Sequence, residues 1–210
     1  MALFDFFDPT RLLYMTPAVI IGLTFHEFAH AAVAYRLGDR TAQHMGRLTL
    51  NPAAHIDILG LIMLYFAGFG WAKPVPVNPI NFRGDRNRGM LLVSLAGPVS
   101  NLIMAIIATI LLAAFLQDIP YIGVMTQYVI SINVILAVFN LLPLPPLDGS
   151  KILAGLIPAS REWLHNIEQY GTIILILLLF TGIIGRLLSI LINPINSFLN
   201  WLAGTVSVLF

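Results

Sequence analysis

Between Thr16 and Leu37 the chain carries formal charge only at Glu27 and Arg36, and four further runs lack Asp, Glu, Lys and Arg altogether: Met90 to Leu116, Tyr121 to Leu142, Gly171 to Gly185 and Asn193 to Phe210. Runs of about 20 apolar residues match the hydrocarbon thickness of a bilayer once they are helical. The first run predicts a helix from Pro17, with Thr16 as cap, to Leu37, with Gly38 ending it in a left-handed conformation. The second is expected to be interrupted at Gly97-Pro98. The last either crosses or lies along the interface.

Composition removes the main alternatives. The 210 residues are 58% hydrophobic and 10% charged, against about a quarter charged in a soluble domain. There is no cysteine, which excludes disulfide scaffolds and thiolate zinc sites. A net charge of +1 leaves no electrostatic footprint for nucleic acid. The N-terminus has no basic n-region or cleavage site of a signal peptide, and Phe4, Phe6 and Phe7 read as an interfacial anchor. Ile56 to Trp71 is short for a span and contains Gly60, Gly68 and Gly70, so it reads as re-entrant or as a short buried element. Val75 and Val77 around Pro76 read as an extended edge. The expected fold is an all-α membrane protein, one domain over 1–210. It is a bundle of four to six transmembrane helices with a short re-entrant or β-strand element after the first.

If Ile56 to Trp71 does not cross, Arg36, Arg40, Arg47, Lys73, Arg83, Arg86, Arg88, Lys151 and Arg161 share one side, nine of eleven basic residues. Only Arg11 and Arg186 then fall on the other. The positive-inside rule makes the basic side cytoplasmic.

In the middle of the first run stands His26-Glu27-Phe28-Ala29-His30. On a helix, residues four apart share a face, so both imidazoles can reach one ion, and Glu27 lies close enough to serve a metal-bound water. Two imidazoles and a carboxylate suit zinc and leave a fourth position for water, whose proton the glutamate takes. Chance supplies this pattern about 0.002 times in a chain of this composition. His26 also lies about 14–15 Å from either end of its helix, and ionisable groups at that depth are costly and functional. A third ligand is needed. Asp5, Asp8, Asp39, Asp85, Glu162 and Glu168 sit in polar or terminal sequence and Asp118 stands alone, which leaves Asp57 and Asp148. Asp148 follows Pro143, Pro145 and Pro146, an extended run that survives at membrane depth only when buried in protein or lining a cavity.

The helical motif, together with Asn140-x-x-Pro143-x-x-x-Leu147-Asp148-Gly149, resembles the site-2 protease family of zinc intramembrane metalloproteases. Ala96-Gly97-Pro98-x-x-Asn101 and Gly70-Trp71-Ala72-Lys73-Pro74-Val75-Pro76-Val77-Asn78-Pro79 extend the resemblance over residues 22–149. It implies His26, His30 and Asp148 as ligands of one zinc ion per chain and Glu27 as catalytic base. It also implies cleavage in or near transmembrane helices of substrate proteins, at a site opening to the cytoplasm of a bacterial or archaeal cell. The chain resembles the minimal members that lack PDZ and CBS domains.

The other polar residues have two readings each. Asn140 and Asn101 either support substrate and transition state or hydrogen-bond between helices. Gly68-Phe69-Gly70 either pairs with an unwound substrate strand, as the Val75–Val77 edge also could, or anchors the chain at the interface. His44, His55 and Asp57 are too few for a second metal site. His165 is expected to be solvated, and Arg83, Arg86 and Arg88 set topology. A metal transporter or sensor is the rival function. It requires a polar path across the membrane, of which the other segments offer little, and it gives Glu27 no task.

Overall fold

The computed structural model describes residues 9–67, 70–157, 160 and 166–209. It contains helices α1 (Pro9–Arg36), α2 (Thr41–His44), α3 (Ile58–Ala67), α4 (Arg86–Leu111), α5 (Ile122–Asn140), α6 (Asp148–Leu156), α7 (Gly171–Phe180) and α8 (Ile183–Ser207). Four stretches are long and apolar enough to span: Leu12–Arg36, Arg86–Leu116, Ile122–Asn140 and Ile183–Ser207. That is an all-α membrane protein with the expected number of spans. The anchor at Phe4, Phe6 and Phe7, and the residues Gly68, Phe69, Arg161 and His165, lie outside the described residues.

Three helix boundaries differ from expectation, each at a proline. α1 does not begin at Thr16-Pro17 but runs through Pro17, and the Thr16 hydroxyl donates to the Leu12 carbonyl at 2.6 Å. α4 is continuous through Gly97-Pro98, and a π turn extends it over Leu112–Leu116. α8 starts ten residues before Asn193 and passes through Pro194. In water a proline commonly ends a helix. In a bilayer the freed backbone groups have no solvent to turn to, so the helix persists and neighbours pair them.

The expected span Gly171–Gly185 is also corrected. α7 has 10 residues, about 15 Å at the helical rise, and Gly182 at φ +73 ends it and starts α8. Ile184 of α8 packs with Leu142 and Leu147, whereas Leu199 packs with Val134 and Val138. Ala203 and Ser207 reach Gln117 and Gln127. α8 therefore runs antiparallel to α5 over its whole length and is long and apolar enough to cross. Arg186 moves to the end of the bundle where α5 finishes, joining the basic loops rather than Arg11.

The region after α1 is set by two close approaches. Gly38 adopts φ +108, and a Cβ there would lie 2.9 Å from Arg83 Cγ and 3.0 Å from the Asn81 carbonyl. α3 is too short to cross, and the single antiparallel bridge Ile56–Ala72 closes its excursion. Among the described residues there is no β-strand. The backbone at Gly60 and Gly70 is tight enough that a Cβ on either would lie 2.1–2.2 Å from the other arm. The Thr16 and Tyr65 hydroxyls hydrogen-bond and fasten α3 to α1.

Candidate active site

α1, α4 and α6 meet where the site forms. His26 and His30 project from one face of α1 with their rings at 84° to one another. Both are buried, 5% and 8% exposed, as are Glu27 at 8% and Asp148 at 9%. The rings lie against α4 at Gly97, where a Cβ would fall 2.5 Å from His26 Cε1 and His30 Nε2. Only glycine leaves that space. The Gly-Pro pair that reads as a helix break is thus the seat of the imidazoles.

Asp148 arrives from the proline segment. The turn over Leu141–Leu147 redirects the chain, with Pro145-Pro146 in the cis form. Gly149 lets it pass beneath the end of α5, because a Cβ there would lie 2.3 Å from the carbonyls of Leu141 and Leu142. Asp148 Oδ2 then stands 3.1 Å from both His26 Nε2 and His30 Nε2.

The orientation of each imidazole is fixed from behind. His30 Nδ1 faces the Val93 carbonyl at 2.7 Å, so Nδ1 carries the proton and Nε2 presents its lone pair. His26 Nδ1 lies 2.7 Å from Asn101 Oδ1. The Asn101 amide is assigned by its own donations, to the Gly22 carbonyl at 3.0 Å and to Asn133 Oδ1 at 2.8 Å. Asn133 in turn donates to Val129 at 2.8 Å. His26 therefore also presents a bare Nε2.

With both rings neutral, two lone pairs point at one carboxylate oxygen, an arrangement that repels unless a metal ion or a proton lies between them. The three donor atoms fall within 4.8 Å of one another and could hold a metal ion, and among the described residues no other group of three His, Cys, Asp or Glu does so. Tetrahedral zinc with bonds of about 2.0–2.1 Å places its ligand atoms ~3.3 Å apart, and both Nε2–Oδ2 separations are 3.1 Å. Two neutral imidazoles, a carboxylate and hydrogen-bonded partners behind the rings are the donor set that zinc takes.

Glu27 faces an open cavity of about 350 Å³ bordered also by Pro74, Val75, Val77 and Asn140. Its Oε2 accepts the Val75 backbone N–H at 2.7 Å, and Oε1 makes no hydrogen bond among the described residues. The segment from Lys73 to Asn78 forms a strap over the cavity, tied at both ends. At one end Arg47 donates to the Lys73 carbonyl at 2.6 Å and the Pro74 carbonyl at 3.3 Å, while the Lys73 amide donates to His55 O at 2.8 Å. At the other, Asp39 accepts from the Asn78 amide at 2.7 Å and from Asn81 Nδ2 at 2.9 Å. Burial disfavours the charged form of Asp39, but hydrogen bonds from Asn81, Thr41 and Asn78 outweigh it and hold its pKa below the ordinary carboxylate value.

The remaining candidates separate. Asn140 borders the cavity and donates to its own helix at Leu136 O, 2.9 Å. Asn101 is fully buried behind His26 and does not border the cavity. Gly70 lies instead with Asp57, Gly60 and Trp71 around an apolar cavity of about 110 Å³ between α1, α3 and α5. Asp57 Oδ1 accepts from Gly60 N at 2.9 Å at the start of α3. His55 Nε2 is hydrogen-bonding distance, 2.8 Å, from the Thr49 carbonyl. Gly97, Val93, Arg47, Asp39 and the Val75 amide escape a reading of sequence. A carbonyl orienter or a strap tie carries no residue-type signature, although glycine beside a helical proline hints at close packing.

The model of peptidase family M50 matches residues 121–182. "Putative zinc metalloprotease YwhC" of Bacillus subtilis is 42% identical over 210 residues, covering 94% of this chain and 89% of its own. "Putative zinc metalloprotease Rip2" of Mycolicibacterium smegmatis is 33% identical over 179 residues, 80% of this chain and 66% of its own. "Putative zinc metalloprotease MJ0611" of Methanocaldococcus jannaschii is 32% identical over 142 residues, 65% and 66% respectively. No solved structure matches significantly.

Proposed function

The chain belongs to peptidase family M50, the site-2 proteases, and is a zinc metalloprotease; on that premise we propose that it hydrolyses peptide bonds in or beside the transmembrane segments of membrane-protein substrates. One observation carries the reading: the metal-binding donors and Glu27 sit near the middle of a spanning helix, beside an open cavity crossed by an extended strap. A site at that depth serves substrates that are themselves in the membrane.

His26, His30 and Asp148 would hold the zinc, with Asn101 and the Val93 carbonyl fixing the tautomers of the two imidazoles. When bound there, zinc would supply an acidified water and a Lewis acid for the scissile carbonyl. Glu27 would take the water proton at Oε1, its oxygen without a hydrogen bond among the described residues, and deliver it to the departing amine. The Val75 N–H holds Oε2 and so keeps the carboxylate aimed during both transfers.

The strap offers the substrate a place. Val77 N–H and the Val75 carbonyl have no hydrogen-bond partner among the described residues, so an unwound segment can pair with this edge as an added strand. Asn140, at the cavity's edge, is placed to bind substrate or the developing oxyanion. The basic loops set the cavity mouth towards the cytoplasm of a bacterial or archaeal cell.

The experiment is cleavage of a panel of single-span substrates by purified enzyme in detergent, with zinc measured by elemental analysis. Cleavage that depends on zinc and falls within or beside the span is expected. Cleavage only in soluble domains would refute the substrate class, and full activity in Glu27→Gln would refute the base.

A further inference from the structure

We propose that α8 is the seam of a homodimer, formed with the same face of a second copy of this chain. The inference uses the membrane position of α8 and does not depend on the proteolytic reading.

α8 has three faces. Ile184, Leu188, Ile192, Ile195 and Leu199 pack on the bundle. Leu187, Ile190, Phe198 and Trp201 are exposed and apolar, as lipid requires. Between them runs a polar column, Arg186, Ser189, Asn193, Asn196, Asn200 and Ser207, every member exposed. The column extends over about 32 Å of helix, the full thickness of the hydrocarbon. The carboxamides of Asn193, Asn196 and Asn200 make no hydrogen bond among the described residues. Ser189 and Ser207, by contrast, turn back onto their own helix at 2.7 and 3.1 Å.

Lipid tails cannot satisfy three carboxamides, so something polar must cover them. A helix lying in the interface would present such a column to water, but α8 packs along the spanning helix α5 from one end to the other and is itself long and apolar enough to span. The spacing identifies the cover. Arg186, Asn193, Asn200 and Ser207 are seven apart, as are Ser189 and Asn196, which is the two-position repeat of a helix pair. A carboxamide both donates and accepts, so the asparagines of two identical columns satisfy each other. Copies inserted the same way round are parallel, and each asparagine then meets its own counterpart about a two-fold axis. A wholly apolar helix would leave these groups unpaired.

The absence of cysteine allows a clean test. Single cysteines are placed at Asn193, Asn196, Asn200, Ile190 and Trp201 of the full chain in membranes, and a short bifunctional maleimide is added. Dimer-sized adducts at Asn193, Asn196 and Asn200, and few at Ile190 and Trp201, are expected. Equal adducts at all five positions, none at the asparagines, or adducts of a mass other than two chains would overturn the proposal. A second measurement guards against crosslinking artefacts: the mass of the protein by light scattering in mild detergent. The unaltered chain is expected to run as a dimer and N193L/N196L/N200L as a folded, zinc-loaded monomer. A monomeric unaltered chain, or a folded triple variant that stays dimeric, would equally sink it.

Discussion

The backbone amide of Val75 donates to Oε2 of Glu27 at 2.7 Å. The two residues are 48 apart, and the bond links the middle of a membrane helix to the extended strap that borders the same cavity. The carboxylate is thereby held through one oxygen and left usable through the other. Glu27→Gln keeps an acceptor for the Val75 N–H and removes the proposed base. We expect cleavage to fall by at least about 10²–10⁴-fold while zinc stays near one per chain, measured by single-span substrate cleavage alongside elemental analysis.

Asp148 supplies the carboxylate at which both bare Nε2 atoms point. Asp148→Ala would leave two of the three proposed ligands, too few for tight zinc binding. Zinc occupancy should drop well below one per chain with loss of cleavage, and a chelator should inactivate the unaltered enzyme reversibly. Unchanged stoichiometry in the variant would remove Asp148 from the ligand set.

Asn101 does not border the active-site cavity but accepts from His26 and donates to Gly22 and Asn133. Its loss frees the His26 ring to rotate and to change tautomer. Groups behind metal ligands typically contribute about 10–100-fold in affinity, so Asn101→Ala should weaken zinc binding by that factor in a competition with a chromogenic chelator. The pH profile of chelator competition should move as well, because the His26 tautomer is no longer enforced; a merely structural role would leave it in place.

How much of this was legible depends on what lipid does to local signals. His26, Glu27 and His30 stand out because charge and imidazole are improbable in an apolar run, and Asp148 because few acids compete with it. The spans were visible from hydropathy, yet Pro17, Pro98 and Pro194 misled. Their usual meaning assumes water is available to the freed backbone, and here it is not. Gly182 divided a run that looked continuous, since a left-handed turn between two apolar helices leaves hydropathy unchanged. The strap ties were illegible for another reason. Arg47 and Asp39 look like ordinary loop charges, and only the folded chain brings Arg47 to Lys73 and Asp39 to Asn78.

Gly97 leaves room for two rings, and a methyl group at 2.5 Å from each has nowhere to go, because α1 and α4 are both rigid spans. Gly97→Ala should therefore displace His26 and His30 and abolish zinc binding, whereas Gly185→Ala, where no atom lies within 4 Å, should leave it intact. Zinc stoichiometry of the two purified variants decides this.

Asp39 anchors the far end of the strap, and its titration gives the last prediction. Its folded pKa lies below the ordinary value because hydrogen bonds from Asn81, Thr41 and Asn78 outweigh the cost of burial. A carboxylate of this kind stabilises the fold fully above its unfolded pKa, about 3.9. That contribution is lost as pH falls through the lower, folded value. Asp39→Asn cannot accept from every one of these donors and points N–H at one of them. Leaving a buried donor unpaired costs about 1–3 kcal/mol, so the variant should melt at a lower temperature than the parent at pH 7. The gap between the two should narrow steadily below about pH 4, as the parent's own carboxylate becomes protonated. Because Asn78 and Val75 belong to one strap, the variant at pH 7 should also cleave more slowly without losing zinc. Thermal unfolding from pH 7 downwards, with zinc analysis at pH 7, checks both parts. A gap that stays constant with pH would show that the Asp39 charge does not hold the strap.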